Sequence, residues 1–181
     1  MEKTEDHFEV DDIPQRSWGR TDPLVVTIPA RRMKKDKDAK ASEEWAIEGT
    51  LIDIGSSADI LFYRTFKDMG YNDVDLKPSA YIHGFNKAIT KPKGEVIINM
   101  PLGEIEMQVT LCVVDVESPY NMLLGKPWLH GIKGVASTLH RCIRFPMPSG
   151  IGEIAGDTER AKSCNQVDVK NYEGRAKKRK I

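Results

Sequence analysis

Ile105, Met107, Val109, Leu111 and Val113 alternate without a break with Glu106, Gln108, Thr110 and Cys112. Period-two alternation sends apolar side chains to one face of an extended chain and polar ones to the other, so this segment must be a half-buried strand. A strand of that kind needs a sheet to complete it, and the rest of the chain supplies candidates. Leu24 to Ile28, between Pro23 and Pro29, is short and β-branched. Trp45 to Asp53 places Ile47, Gly49, Leu51 and Asp53 on one side and Ala46, Glu48, Thr50 and Ile52 on the other, so Asp53 ends an otherwise apolar face. Glu95 to Met100 is extended, Pro101-Leu102-Gly103-Glu104 turns the chain into Ile105, and Val135 to Phe145 alternates as a final strand that the run Pro146 to Gly150 ends.

The run Leu51-Ile52-Asp53-Ile54-Gly55-Ser56-Ser57-Ala58-Asp59-Ile60-Leu61 carries an apolar strand into one acid and out through a glycine and two serines. Two readings fit these residues. Asp53 and Ser57 are suited to starting a turn or capping a helix. Equally, an acid at the end of a buried strand, beside a glycine that lets the backbone approach a ligand, suits an active-site loop. Beyond it, Ile60, Leu61, Tyr63, Thr65, Phe66 and Met69 recur near helical spacing, predicting a helix of about three turns with Ser57 as N-cap, Asp59 in the first turn and Gly70 as the stop. Ser79 to Gly84 and Glu95 to Met100 flank a polar, glycine-bearing stretch and predict a hairpin that can move. Met122-Leu123-Leu124-Gly125 is a short apolar run, and Lys126 to His130 begins a short helix with Pro127 in its first turn.

At 181 residues, 40% of them hydrophobic and 30% charged, the chain has room for one domain of common size with tails. Its zero net charge is unevenly spread: residues 1–12 hold six acids and one Lys, whereas Lys170 to Lys180 hold six basic residues and one Glu. Residues 1–21 predict a disordered acidic leader, and 150–181 a flexible linker with a basic tail. Arg31 to Lys40, with six basic residues, predicts a solvated loop insertion over 30–42. The basic runs leave open a weak affinity for nucleic acid, best carried by the tail Lys177-Lys178-Arg179-Lys180. Cys112, Cys142 and Cys164 are odd in number and show no metal spacing, and His7, His83, His130 and His140 have no metal or triad partner at a useful distance in sequence. The acidic start lacks an apolar signal region and no run nears the eighteen or so apolar residues of a membrane span. The expected setting is intracellular, cytoplasmic or nuclear, with neither secretion nor membrane attachment.

Asp53-Ile54-Gly55-Ser56 resembles the Asp-Thr/Ser-Gly-Ala/Ser signature of aspartic proteases, and Asp53 to Leu61 resembles the protease region of plant Gypsy-class LTR retrotransposon polyproteins. Gly84-Phe85 sits where that family has its Gly-Phe flap. Ser118 to Leu129 resembles its SPYNAILGRPWL run, and Ser137-Thr138-Leu139-His140 through Phe145-Pro146 its closing strand. The similarity runs over about residues 20–165 in the family's order. It implies a retropepsin-like acid-protease barrel over 22–149, mainly β, with one helix after the catalytic loop and a short one near 126–131.

Aspartic proteolysis needs two carboxylates about 3 Å apart that share a proton. The chain offers one Asp-x-Gly-Ser site, so the resemblance implies a homodimer in which each copy supplies Asp53 across a two-fold axis. In that reading Gly55 permits close approach, Ser56 hydrogen-bonds to the carboxylate, Gly84 and Phe85 lie over the substrate, and Leu124-Gly125 packs beside the catalytic loop. The substrate is a polypeptide, its own polyprotein first, and no metal or organic cofactor is implied. Ile54 departs from the family pattern. A Thr or Ser there ties the two catalytic loops together through its hydroxyl, and losing such a buried bond costs about 1 to 3 kcal/mol for each group left unpaired. A catalytically inactive fragment or an adopted peptide-binding module is therefore the alternative, and a nucleic-acid-binding accessory segment the third.

Overall fold

The alternating segment forms β5 (Ile105–Val114), paired along its length with β4 (Gly94–Leu102) through a tight turn in which Gly103 takes φ +59°. The computed structural model describes residues 22–33, 44–79 and 91–164. Within them β4 and β5 join β1 (Val25–Arg32), β2 (Glu44–Ile52), β3 (Ile60–Phe62) and β6 (Met122–Leu124) in a closed barrel of order β1-β2-β6-β3-β5-β4. Two pairs, Arg31 with Asn99 and Arg32 with Ile98, close it between β1 and β4. The Arg31 guanidinium bonds Glu44 at 2.9 Å and lies 3.9 Å from Glu106, tying β1 to β2 and β5 at this seam. Ile28, Ile98, Leu111, Met122, Leu124 and Trp128 are fully buried in the central core.

Several elements differ from what the pattern predicts. Strand β2 is not a single alternation: Val26 pairs with Thr50 but Ile28 with Ile47, so Glu48 and Gly49 together oppose Thr27. Gly49 has φ +61°, the left-handed conformation that a bulge of this kind uses. Past the bulge the faces exchange. Ile47 and Ile52 enter the central core, while Leu51 turns to a second, smaller cluster.

Ser57 starts no helix. Ile60–Phe62 is strand β3, parallel to β5 and antiparallel to β6, and helix α1 is only Tyr63–Asp68, with Phe62 at its N-cap. A strand covered on both faces reads as an unbroken apolar run, and periodicity cannot tell such a run from a helix. The stop at Gly70, with φ +77°, holds, and Phe66 is fully buried. The short helix after Gly125 is α2 (Lys126–Gly131), with Pro127 in its first turn.

Regular structure also continues past 150. Val135 to Phe145 is two strands, β7 (Val135–Ser137) and β8 (Cys142–Met147), broken at a turn where Arg141 has φ +56°. β9 (Gly150–Ala155) completes a separate three-stranded sheet, and residues 158–164 are helical. Glycine explains β9: at Gly152 a Cβ would lie 2.5 Å from the Phe145 ring, so the ring packs directly on the backbone of the next strand. Ile143 and Phe145 complete the central core from this sheet. Ala161 and Cys164 close the second cluster with Val25, Ile60, Phe62 and Leu123. Residues 30–32, placed in the basic insertion by the sequence pattern, belong to β1, because Arg31 and Arg32 pair with β4. The rest of that insertion, the acidic leader and the basic tail lie outside the described residues.

Candidate active site

Strand β6 runs between β2 and β3, although those two strands are joined directly by the loop 53–59. Leu124 pairs with Ile52 on one side and Leu123 with Ile60 on the other. The loop must therefore arch over the end of β6 and its continuation, Gly125. Contact there is close: a Cβ on Gly125 would lie 2.6 Å from the Ser56 carbonyl oxygen and 2.8 Å from that of Ala58. Only glycine fits under the arch without moving backbone.

Backbone bonds shape the loop. Asp53 N–H donates to Leu124 O at 2.9 Å, fixing the acid where β2 ends, and Ser56 N–H donates to Asp53 O at 3.0 Å. The Asp53 carboxylate accepts from Gly55 N–H at 2.9 Å and is half-buried. Gly55 itself is exposed, with its α-carbon face close to that carboxylate. Ile54, at the tip, is 58% exposed, which is unusual for so large an apolar side chain. Ser56 is turned elsewhere from its expected role. Its hydroxyl donates to Ala58 O at 2.7 Å and accepts from Ala58 N–H, so it stiffens the loop's exit, while the Gly55 amide takes the carboxylate. Leu124 and Gly125 are buried beside the loop. Gly84 and Phe85 lie outside the described residues.

Asp59, expected in a helix's first turn, is instead buried, 6% exposed, at the loop's exit before strand β3. Its carboxylate accepts from the backbone N–H groups of Gly125, at 2.8 Å, and Trp128. Burial pushes its carboxyl up to about 6, against those two donors. The local signal was an acid directly before three consecutive large apolar residues, Ile60, Leu61 and Phe62. Among the described residues no group of three or more His, Cys, Asp or Glu side chains is placed to hold a metal ion, and no helix is long and apolar enough to cross a membrane.

No protein-family model matches the chain, and no curated protein matches it. Solved structures do. The retroviral protease-like domain of Ddi1 from Leishmania major is 11% identical and superposes with a TM-score of 0.55 over 77% of this chain and 98% of its own. A retropepsin-like aspartic protease from Rickettsia conorii is 16% identical, with a TM-score of 0.38 over 72% of this chain and 90% of its own. The closed barrel, the strand passing under the loop and the likeness to the Ddi1 domain together define a retropepsin-like fold.

Proposed function

We propose that this chain is one half of an aspartic endopeptidase, active as a homodimer in which two Asp53 carboxylates meet across a two-fold axis. The observation that carries this is the Asp53 loop itself: one acid at the end of β2, its backbone N–H bonded to the strand that passes beneath the loop, with a neighbour, Ile54, that is 58% exposed. Two such carboxylates about 3 Å apart hold one proton between them. The ionised partner takes a proton from water while the protonated one donates to the scissile carbonyl oxygen, giving a tetrahedral diol. That intermediate collapses as the carboxyl that took the water proton delivers it to the nitrogen, the C–N bond breaks, and the other, now ionised, carboxylate takes a proton from a diol hydroxyl.

Polypeptide is the substrate class, with a retroelement polyprotein of the plant Gypsy type as the first candidate, on the motif resemblance from Asp53 to Leu61 and from Ser118 to Leu129. The intracellular setting expected from the sequence goes with that reading. A second reading is favoured by Ile54, which has no hydroxyl to tie two loops together: the fold then binds peptide without cleaving it.

Incubating the protein with a peptide library, and with a longer precursor of itself, separates the two. Cleavage that disappears in Asp53→Asn and under a statine-type transition-state mimic supports the enzyme. Peptide binding with no turnover supports the module, and cleavage that survives Asp53→Asn overturns the assignment of the acid.

A further inference from the structure

We propose that Asp59 is a positioning residue of this site: its buried side chain clamps the exit of the catalytic loop to the backbone of Gly125 and Trp128, and thereby sets the attitude of Asp53. The inference rests on the reading of Asp53 as the catalytic acid.

Three consecutive residues beneath the arch hold the loop. Leu124 O accepts from Asp53 N–H at 2.9 Å at the entry, Lys126 N–H donates to Ser56 O at 3.0 Å at the crown, and Gly125 N–H donates to Asp59 Oδ1 at 2.8 Å at the exit. The first two are backbone bonds that any residue but proline can make. The third needs a side-chain acceptor of one particular length, and it spans 66 residues of sequence. Asp59 is also fixed from behind, because its carbonyl oxygen accepts from Cys112 N–H of β5 at 2.9 Å. A buried carboxylate is unfavourable unless strong donors face it, and both donors here are amides of the segment on which the loop rests. Loss of the clamp would leave the loop joined to the segment beneath it at its entry and crown alone, with the Gly125 and Trp128 amides buried and unpaired.

Burial has pushed this carboxyl up to about 6, so its proton can be followed at ordinary pH. Protonation turns an acceptor oxygen into a hydroxyl, and the two amides must sense the change. The titratable and charged groups on the elements around it are Asp53 in the loop, Glu106 and Cys112 on β5, and the exposed Lys126 and His130 on α2. Burial raises the Cys112 thiol above its ordinary value, which leaves it neutral throughout the range in which Asp59 changes charge.

The test follows the Gly125 amide by NMR in the full chain from about pH 4 to about pH 8, which brackets the Asp59 carboxyl. A shift with a single midpoint near 6, absent in Asp59→Asn, is expected. Hydrogen exchange at Gly125 should be roughly tenfold faster in Asp59→Ala than in Asp59→Asn, whose side-chain oxygen still accepts. With a cleavable peptide, Asp59→Ala should lower kcat by on the order of ten- to a hundredfold at unchanged KM, and Asp59→Asn should restore most of it. A Gly125 amide that does not move with pH in the wild-type chain overturns the clamp, as does an Asp59→Ala protein with wild-type exchange and kcat. If the wild-type chain cleaves nothing, the catalytic reading falls, and the amide titration still decides the clamp. Should Asp59→Ala fail to fold, the wild-type and Asp59→Asn titrations suffice.

Discussion

Gly125 and Asp59 are the two residues through which the loop and the strand beneath it are fitted together, one by having no side chain and the other by having an acidic one. In Gly125→Ala the new methyl would meet the Ser56 carbonyl oxygen at 2.6 Å, and backbone yields far less readily than a flexible side chain. We expect a loss of about 3 kcal/mol or more in urea unfolding, at the upper end of what overpacking costs. Asp59 gives stability a pH dependence of defined sign. Its carboxyl is raised from 3.8 to about 6 on folding, so its favourable contribution is complete below the unfolded value and is lost as pH rises through the folded one. The unfolding free energy of wild type relative to Asp59→Asn should therefore fall between about pH 4 and about pH 6, by at most about 3 kcal/mol at 1.36 kcal/mol per pKa unit. It should be level above that window, and equilibrium unfolding at a series of pH values measures it.

The decisive element is β3. Its three residues are covered on both faces: Leu61 looks into the central core, and Ile60 and Phe62 into the second cluster closed by Ala161 and Cys164. The C-terminal pieces are therefore structural. The β8–β9 turn is pinned to the β4–β5 turn, where Ser149 N–H and Oγ bond the Glu104 carboxylate. The helical segment 158–164 is anchored in turn by Asp157 N–H on Val25 O at 2.7 Å. A chain ending at Ser149 loses β9 and that helix, exposing Ile60, Phe62 and the Phe145 ring. Its Tm should fall by at least about 10 °C, taking 2–4 °C per kcal/mol for a chain of this size. An unchanged Tm in a thermal scan would show that residues 150–164 only decorate the barrel.

At the scale of the whole molecule, the barrel is complete in one copy while the proposed chemistry needs two. Ile54 is where that difference can be measured. Because it is 58% exposed, Ile54→Lys should leave the fold of a single copy within about 0.5 kcal/mol of wild type. In the proposed dimer two lysines would face each other across the axis, and association should be abolished. Ile54→Thr, which restores a hydroxyl, should tighten the dimer by about 1 to 3 kcal/mol and raise turnover with it. Sedimentation equilibrium reads both variants, and equal association in wild type and Ile54→Thr would remove the hydroxyl argument.

Local sequence determined a good deal: the half-buried β5, the turn at Gly103, the stop at Gly70, the proline-led helix after Gly125, and the Asp-x-Gly-Ser loop at the end of an apolar strand. Each depends on neighbours a few residues away, through side-chain period or backbone conformation, so each is written in a short window. The tertiary structure decided the rest. The bulge at Glu48 and Gly49 exists only against Thr27 of another strand, and β3 is a strand because β5 and β6 flank it on either side. Asp59 became a buried clamp because its donors lie on Gly125 and Trp128, far along the chain. Short-range pattern states which side of an element avoids water, but not which distant backbone will supply its hydrogen bonds.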